Sequence, residues 1–181
     1  YDKCTFSRFD AHKGVTNITI RNSTLGYMGI SAIGKGTLLV ENSTIQGRSF
    51  IKLRPDFGST WQGKIIIRNC IFVPLGIKSN NVGLINGYYS GKHNFGYTCY
   101  MPEHINIENL QIKDADYSSG YKGPVIFTNF NPDMTDDSYY EKFPYIRTRE
   151  VTLRNVTTAS GKSIRLSNNP IMFKSVTIDK N

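Results

Sequence analysis

Residues 18–25 read ITIRNSTL, and five later segments repeat the pattern: 38–45 (LLVENSTI), 65–72 (IIIRNCIF), 105–112 (INIENLQI), 151–158 (VTLRNVTT) and 171–178 (IMFKSVTI). When the segments are aligned, apolar residues stand four and two positions before one shared polar column. That column holds Asn22, Asn42, Asn69, Asn109, Asn155 and Ser175. A motif that returns with fixed internal offsets indicates a stacked repeat.

Each repeat predicts two short, half-buried strands joined by a bend, because apolar residues alternate with polar ones on both sides of the column. Asparagine suits the bend because it tolerates unusual backbone angles, and its amide can donate to and accept from the asparagine one coil away. No segment keeps a helical period. We therefore predict an all-β fold, a parallel β-helix of about six coils with a buried asparagine ladder, as one domain over residues 1–181.

The residues directly before the column alternate in charge. They are Arg21, Glu41, Arg68, Glu108, Arg154 and Lys174, and all but the last change sign from one repeat to the next. Neighbouring coils of a parallel sheet lie about 4.8 Å apart, so opposite charges at this spacing favour the stack. We interpret this charge column as part of the scaffold rather than as a binding site.

The intervals between ladder residues place the insertions. The first and last intervals are 20 residues each, and the three middle ones are longer. We predict that each coil contributes one further short strand, at 9–12, 30–33, 50–54, 82–86, 125–129 and 163–167. The largest insertions follow that strand, at about 55–63, 87–104 and 130–150, and smaller ones fall near 73–81 and 113–123. Loops on one side of a regular scaffold are a common place for function.

Composition limits the classes of partner. The 181 residues carry a formal charge of +8 and include no apolar stretch long enough for a membrane span. The basic residues are spread out rather than grouped, and no nucleic-acid-binding motif occurs, so we predict an acidic polysaccharide as partner, with no nucleic acid and no membrane insertion. Neither end has a capping segment, which indicates a fragment or module of a longer protein.

Two other patterns are expected to have no functional role. The three cysteines indicate neither a metal site nor a disulfide framework. The N-x-S/T sequons begin at Asn17, Asn22, Asn42 and Asn155, and three of these asparagines belong to the ladder. Because we expect ladder side chains to be buried, we interpret the sequons as unrelated to glycosylation.

Two pairs of polar residues on the short strands are candidates for catalysis. Lys52 and Arg54 share one face, and two close cations disfavour the protonated amine, so Lys52 is a candidate base while Arg54 binds a carboxylate. These roles suit β-elimination on a uronic acid. Asp10 and His12 also share a face and are candidates for an acid and base pair in hydrolysis. Both alternatives remain open, as does a third in which these residues are ordinary solvated surface.

The predicted loops are rich in aromatic residues, whose faces suit sugar rings when donors flank them. As candidate substrate-binding residues we take Trp61, Tyr88, Tyr89, His93, Tyr97, Tyr139 and Tyr140 from the loops and Arg165 from the short strand of the last coil. The alternative is that the aromatic side chains pack the loops onto the solenoid. The run NPDMTDDS, with Asp133, Asp136 and Asp137, is a candidate calcium site, although it lacks the alternating ligands of a calcium loop. No other cofactor is predicted.

The ladder, the three-strand coil and the side loops together resemble the right-handed parallel β-helix of the pectate lyase and pectin lyase-like superfamily. The resemblance covers nearly the whole chain. It implies carbohydrate recognition on the strand face and its loops, since that superfamily includes polysaccharide lyases, glycoside hydrolases, pectin esterases and phage tailspikes. Two of its patterns are missing: the paired aspartates and His-Gly of polygalacturonases, and the calcium-binding aspartates of pectate lyases, because Asp10 stands alone on that face.

Two functions from different classes follow. The first is an extracellular domain that binds an acidic polysaccharide and, if an enzyme, cleaves it by β-elimination or hydrolysis. The alternative is a non-catalytic structural or receptor-binding module of a phage tailspike, fibre or surface adhesin, which binds a surface glycan and, in a tailspike, forms homotrimers. Both place the protein outside the cell, on a cell surface or on a virion.

Overall fold

The computed structural model describes residues 1–54, 61–75, 82–89, 99–115, 120–130, 145–146, 148–167 and 173–179. Within these ranges the chain forms strands and no helix, so no helix there is long and apolar enough to cross a membrane. The strands are β1 (Thr5–Phe6), β2 (Phe9–Arg21), β3 (Thr24–Leu25), β4 (Ile30–Glu41), β5 (Thr44–Gly47), β6 (Ser49–Leu53), β7 (Trp61–Pro74), β8 (Gly83–Tyr89), β9 (Cys99–Tyr100), β10 (His104–Ile112), β11 (Val125–Phe130), β12 (Tyr145–Ile146), β13 (Thr148–Thr158), β14 (Arg165–Ser167) and β15 (Phe173–Asp179).

Thirteen of these strands form one sheet in which every pair is parallel. The sheet winds as a right-handed parallel β-helix, which confirms the predicted fold class. We number coils 1 to 6 by the segment that each contributes to one short-strand face. Coils 1 and 2 contribute the first residues of β2 and β4, and coils 3 to 6 contribute β6, β8, β11 and β14.

The ladder asparagines bend the backbone as predicted. Their φ angles are 54° at Asn22, 49° at Asn42, 53° at Asn69, 52° at Asn109 and 47° at Asn155, all in the left-handed region that asparagine tolerates better than most residues. Each amide nitrogen donates to the Oδ1 of the ladder residue one coil back, at 3.3 Å for the Asn42 and Asn69 amides and 2.9 and 2.8 Å for the Asn109 and Asn155 amides.

The ladder lies on the surface, which corrects the prediction that it is buried. All five asparagines are exposed, because the bend turns their side chains away from the core. Asn22 continues the ladder to Asp2, whose Oδ1 accepts from the Asn22 amide at 2.8 Å. The side-chain amides of the sequon residues Asn22, Asn42 and Asn155 are therefore exposed, and they form the hydrogen bonds of the ladder.

The last repeat was aligned incorrectly from the sequence. The register pairs Glu150 with Ser175 and Arg154 with Asp179, so Ser175 lies five residues before the ladder column. The apolar residues Val176 and Ile178 occupy the positions that the sequence alignment assigned to residues 171 and 173. The physical reason is charge: this register places an acid beside Arg154, whereas the predicted alignment placed Lys174 there.

The charge column is confirmed for the other coils. Arg21, Glu41, Arg68, Glu108 and Arg154 are in register across successive strands. Arg68 bridges to Glu41 at 2.6 Å, and Arg21 bridges to Asp2 at 3.3 Å. With Asp2 before it and Asp179 after it, the column alternates in sign over its whole length.

The core lies inside the coils and consists of stacked apolar columns. One column holds the fully buried Leu38, Ile65, Ile105 and Val151. At one corner the rings of Phe50 and Phe72 meet edge to face with centroids 5.7 Å apart. At Gly63 two neighbouring backbones approach closely. Gly63 has a φ of 130°, and a Cβ there would collide with the Gly36 carbonyl oxygen. Only glycine fits that position.

The insertions are shorter than the sequence suggested. Strand β7 already begins at Trp61, β8 continues to Tyr89 and β10 begins at His104. Of the three large insertions, residues 55–60, 90–98, 131–144 and 147 lie outside the described residues, as do 76–81 and 116–119 of the smaller ones. Strands β9 and β12 come from the insertions after β8 and β11, and they pair in parallel. Successive insertions therefore continue the stacking of the coils that carry them.

Candidate functional site

A column of polar side chains follows the outer side of the short-strand face. The register aligns Asp10, Ser31, Lys52, Asn86 and Thr128, one from each of coils 1 to 5. Lys52 is exposed and the other four are half-buried, whereas the neighbours of Lys52 in its strand are fully buried. This alternation places Lys52 on the outer side of its strand and its two neighbours in the core. We call these five residues the polar column.

A second column lies beside the polar column and holds His12, Ile33 and Arg54. Its register follows from the pair of Ala32 with Leu53 and from the Arg54 amide, which donates to the Ala32 carbonyl at 2.9 Å. The side chain of His12 is 72 % exposed. Ile33 between them is buried, with 2 % exposure, although it occupies an outward position.

Arg54 reaches across coil 2 to the acid of coil 1. Its Nη1 donates to Asp10 Oδ1 at 2.8 Å and lies 3.4 Å from His12 Nε2. Arg8 approaches the same carboxylate from the other side, with Nη2 3.3 Å from Oδ2. Arg54 from one candidate pair and Asp10 and His12 from the other are therefore joined in one cluster with Asp10 at its centre, and Lys52 is not part of it.

The cluster keeps Asp10 ionised. Burial by itself would raise the pKa of the Asp10 carboxyl, but the Arg54 hydrogen bond and the positive charges of Arg54 and Arg8 outweigh it, and the pKa lies below its ordinary value. A general acid in hydrolysis has to hold a proton near neutral pH, which this carboxyl does not. Asp10 instead orients Arg54, whose Nη1 is occupied by that carboxylate.

Lys52 stands in the middle of the polar column. Its neighbours in register are Ser31 and Asn86, about one coil spacing away on either side. Arg54 directly follows the end of β6, two residues after Lys52. The Lys52 ammonium forms no hydrogen bond or ion pair with the described residues, so it is the accessible cation of the column.

Trp61 lies in the core. Its side chain is fully buried at the start of β7, and its Nε1 donates to the Gly36 carbonyl at 3.1 Å. Its ring also lies beside Gly34, where an added Cβ would come within 2.9 Å of it. This corrects the prediction that Trp61 belongs to a loop and binds substrate, because no face of the indole is open to a sugar ring.

Arg165 also differs from its predicted position. Its register partner is Val125, which is buried, so Arg165 does not continue the polar column. Its Nη2 donates to the Gly123 carbonyl at 3.1 Å, and its Nε is buried. This hydrogen bond links β14 to the segment before β11. Alternation of burial alone fails here because consecutive residues of the neighbouring strand β11 are buried, as Ile126 and Phe127 are.

The remaining candidates lie partly or wholly outside the described part of the chain. Tyr88 and Tyr89 belong to β8, and Tyr89 is in register with Phe130, but their side chains are not among those described. The other predicted sugar-binding residues and the predicted calcium ligands lie outside the described residues; these are His93, Tyr97, Tyr139, Tyr140, Asp133, Asp136 and Asp137.

Sequence reasoning did not single out two features next to the cluster. One is Arg8, which is half exposed beside Asp10. The other is the turn between β3 and β4, where Tyr27 is 74 % exposed and Met28 is 51 % exposed. The glycines at 26 and 29 that flank this pair are the only signal of an exposed turn in the sequence.

Comparison of the chain with models of known protein families finds no match. Comparisons with curated proteins and with solved structures find none either. The class of protein is therefore given by the architecture itself: a right-handed parallel β-helix with an asparagine ladder. The polar column and the cluster of Arg8, Asp10, His12 and Arg54, which we call the arginine cluster, lie on one face of it.

Proposed function

We propose that this chain is a glycan-binding β-helix of the pectin lyase-like type, which binds an acidic polysaccharide along the polar column. The observation that carries the proposal is the column itself, with the exposed Lys52 between Ser31 and Asn86. A straight row of hydrogen-bonding groups at the coil spacing suits an extended polymer better than a compact ligand. The formal charge of +8 favours an anionic one.

Binding without cleavage fits the arginine cluster best. Hydrolysis would need Asp10 as a proton donor, and this carboxyl is ionised and paired with Arg54. β-Elimination would need Arg54 to bind the carboxylate of the substrate, but its side chain is only 20 % exposed and its Nη1 donates to Asp10 at 2.8 Å. In this proposal the arginine cluster borders the binding face, and the charge of its arginines is partly neutralised by Asp10. The function would be carried out outside the cell, at a cell surface or on a virion.

Titration calorimetry with polygalacturonate tests the proposal, with fully methyl-esterified pectin as the uncharged counterpart. We expect the acidic polymer to bind and the binding to weaken as salt is added, because exposed charges are screened. Lys52→Gln should weaken binding about tenfold, the loss of one hydrogen bond to a charged group. Lys64→Gln is the matched control, since Lys64 is exposed on β7, away from the polar column, and should bind like the wild type.

Ultraviolet absorbance of unsaturated uronic acid and release of reducing ends should both stay unchanged during incubation. A rise in either would overturn the non-catalytic assignment. Equal binding of the acidic and esterified polymers, or equal effects of Lys52→Gln and Lys64→Gln, would contradict the role of the polar column.

A further inference from the structure

The turn between β3 and β4 exposes two large apolar side chains side by side. Tyr27 is 74 % exposed and Met28 is 51 % exposed, and the only other large hydrophobic residue with comparable exposure among the described residues is Tyr1. Tyr1 packs against Phe6 and Phe9, with ring centroids 5.9 and 5.1 Å apart. Tyr27 has no ring contact and no hydrogen bond with the described residues.

The backbone at Tyr27 is strained. Its φ is 71°, in the left-handed region, where a bulky residue is an outlier. Glycine or asparagine would form the same turn at lower cost. The described contacts of the ring do not offset this cost. We therefore infer that the exposed tyrosine side chain is the reason for a tyrosine in this turn. Strained residues of this kind concentrate at binding sites.

The turn is adjacent to the arginine cluster. The Met28 amide donates to the Ser7 carbonyl at 3.3 Å, and the Phe9 amide donates to the Gly29 carbonyl at 3.1 Å. Arg8 therefore lies on the neighbouring coil directly beside the turn. The Arg8 side chain is 49 % exposed, and its Nη2 contacts Asp10, the first residue of the polar column.

We propose that Tyr27, Met28 and Arg8 form a terminal sugar-binding subsite at the coil 1 end of the polar column, for one uronic acid residue of the polysaccharide. The Tyr27 ring stacks on the sugar, Met28 adds apolar contact, and the open edge of the Arg8 guanidinium binds the sugar carboxylate. This subsite rests on the proposed function. It extends the binding face beyond the polar column to two apolar side chains that the net charge of the chain does not indicate.

Two variants of Tyr27 test the stacking role by calorimetry with polygalacturonate. Tyr27→Asn removes the ring but keeps a residue that tolerates the left-handed backbone, so the fold should be at least as stable as the wild type. We expect it to weaken binding by about 3- to 10-fold, the range for aromatic stacking, and to leave the salt dependence of affinity unchanged. Tyr27→Phe keeps the ring and should bind like the wild type.

Arg8→Gln separates the charge from the ring. It should weaken binding about tenfold and reduce the salt dependence of affinity, because one charged contact is lost. Wild-type affinity in Tyr27→Asn would overturn the subsite. If Lys52→Gln still weakened binding in that case, the proposed function would stand and only the subsite would be wrong. If the wild-type protein bound no acidic polymer, both would be overturned.

Discussion

Replacing Arg54 by glutamine should destabilise the folded protein in a way that depends on pH. The guanidinium donates to Asp10 at 2.8 Å, and the two side chains are 20 % and 18 % exposed. A fully exposed pair contributes less than about 1 kcal/mol, and removing one partner of a fully buried pair costs about 3–5 kcal/mol. Because these side chains are mostly covered but lie at the surface, we expect a loss of about 1–2 kcal/mol at neutral pH.

The pH dependence follows from the lowered pKa of Asp10. A carboxyl whose pKa is lower in the folded than in the unfolded protein stabilises the fold above the unfolded pKa, about pH 4. That stabilisation is lost as the pH falls through the folded pKa, where Asp10 becomes protonated. The difference in unfolding free energy between wild type and Arg54→Gln should therefore be full at neutral pH and shrink below about pH 4.

Urea unfolding followed by circular dichroism, at neutral and at acid pH, measures this difference. Arg48→Gln is the control, because Arg48 is exposed and makes no ion pair with the described residues, so its effect should be near zero at both pH values. A double-mutant cycle with Asp10→Asn isolates the pair from other effects of each substitution. If Arg54→Gln unfolded with the wild-type free energy at neutral pH, or if its deficit persisted in acid, the pairing described here would be refuted.

Two further predictions concern the scaffold. Asp114 is fully buried and accepts hydrogen bonds from the Tyr121 hydroxyl at 2.6 Å and from the Ser160 hydroxyl and amide at 2.8 and 3.0 Å. Asp114→Ala should therefore cost about 3–5 kcal/mol in urea unfolding, since it removes three hydrogen bonds to a buried carboxyl, and a loss under about 1 kcal/mol would contradict this. Asn109→Ala forces alanine into the left-handed region and removes two exposed ladder bonds, so it should cost about 2–4 kcal/mol by the same measurement, more than Asn109→Gly; equal losses would show that backbone angle is not what selects asparagine.

The ladder shows which structural features the repeat pattern could predict and which it could not. The alternation around Asn69 and Asn109 predicted both the strands and the bend, because these depend on residues close together in the chain. It did not predict that the ladder is exposed, because the direction of a side chain at a bend depends on how neighbouring coils turn. The shift at Ser175 has a different cause: apolar residues of the last repeat match the spacing in more than one register, and the alignment chosen from the sequence is not the one in which β15 pairs with β13.

The candidate site was predicted in pieces. The sequence placed Lys52 and Arg54 on one face and Asp10 and His12 on one face, since strand alternation is local. It could not show that Arg54 binds Asp10, because the two residues are 44 positions apart and meet only through the stacking of three coils. Trp61 was misplaced because an aromatic residue near an insertion has the same sequence signal whether it covers the core or faces solvent.

The sequence alone determined the all-β solenoid, its asparagine ladder and its alternating outer charges, because these repeat with the period of the coil. The tertiary structure decided which polar side chains meet. Arg54 is held by Asp10, Trp61 is enclosed in the core, and Tyr27 stands exposed beside Arg8. These outcomes depend on distances between coils, and residues far apart in sequence acquire such distances only when the whole helix is wound.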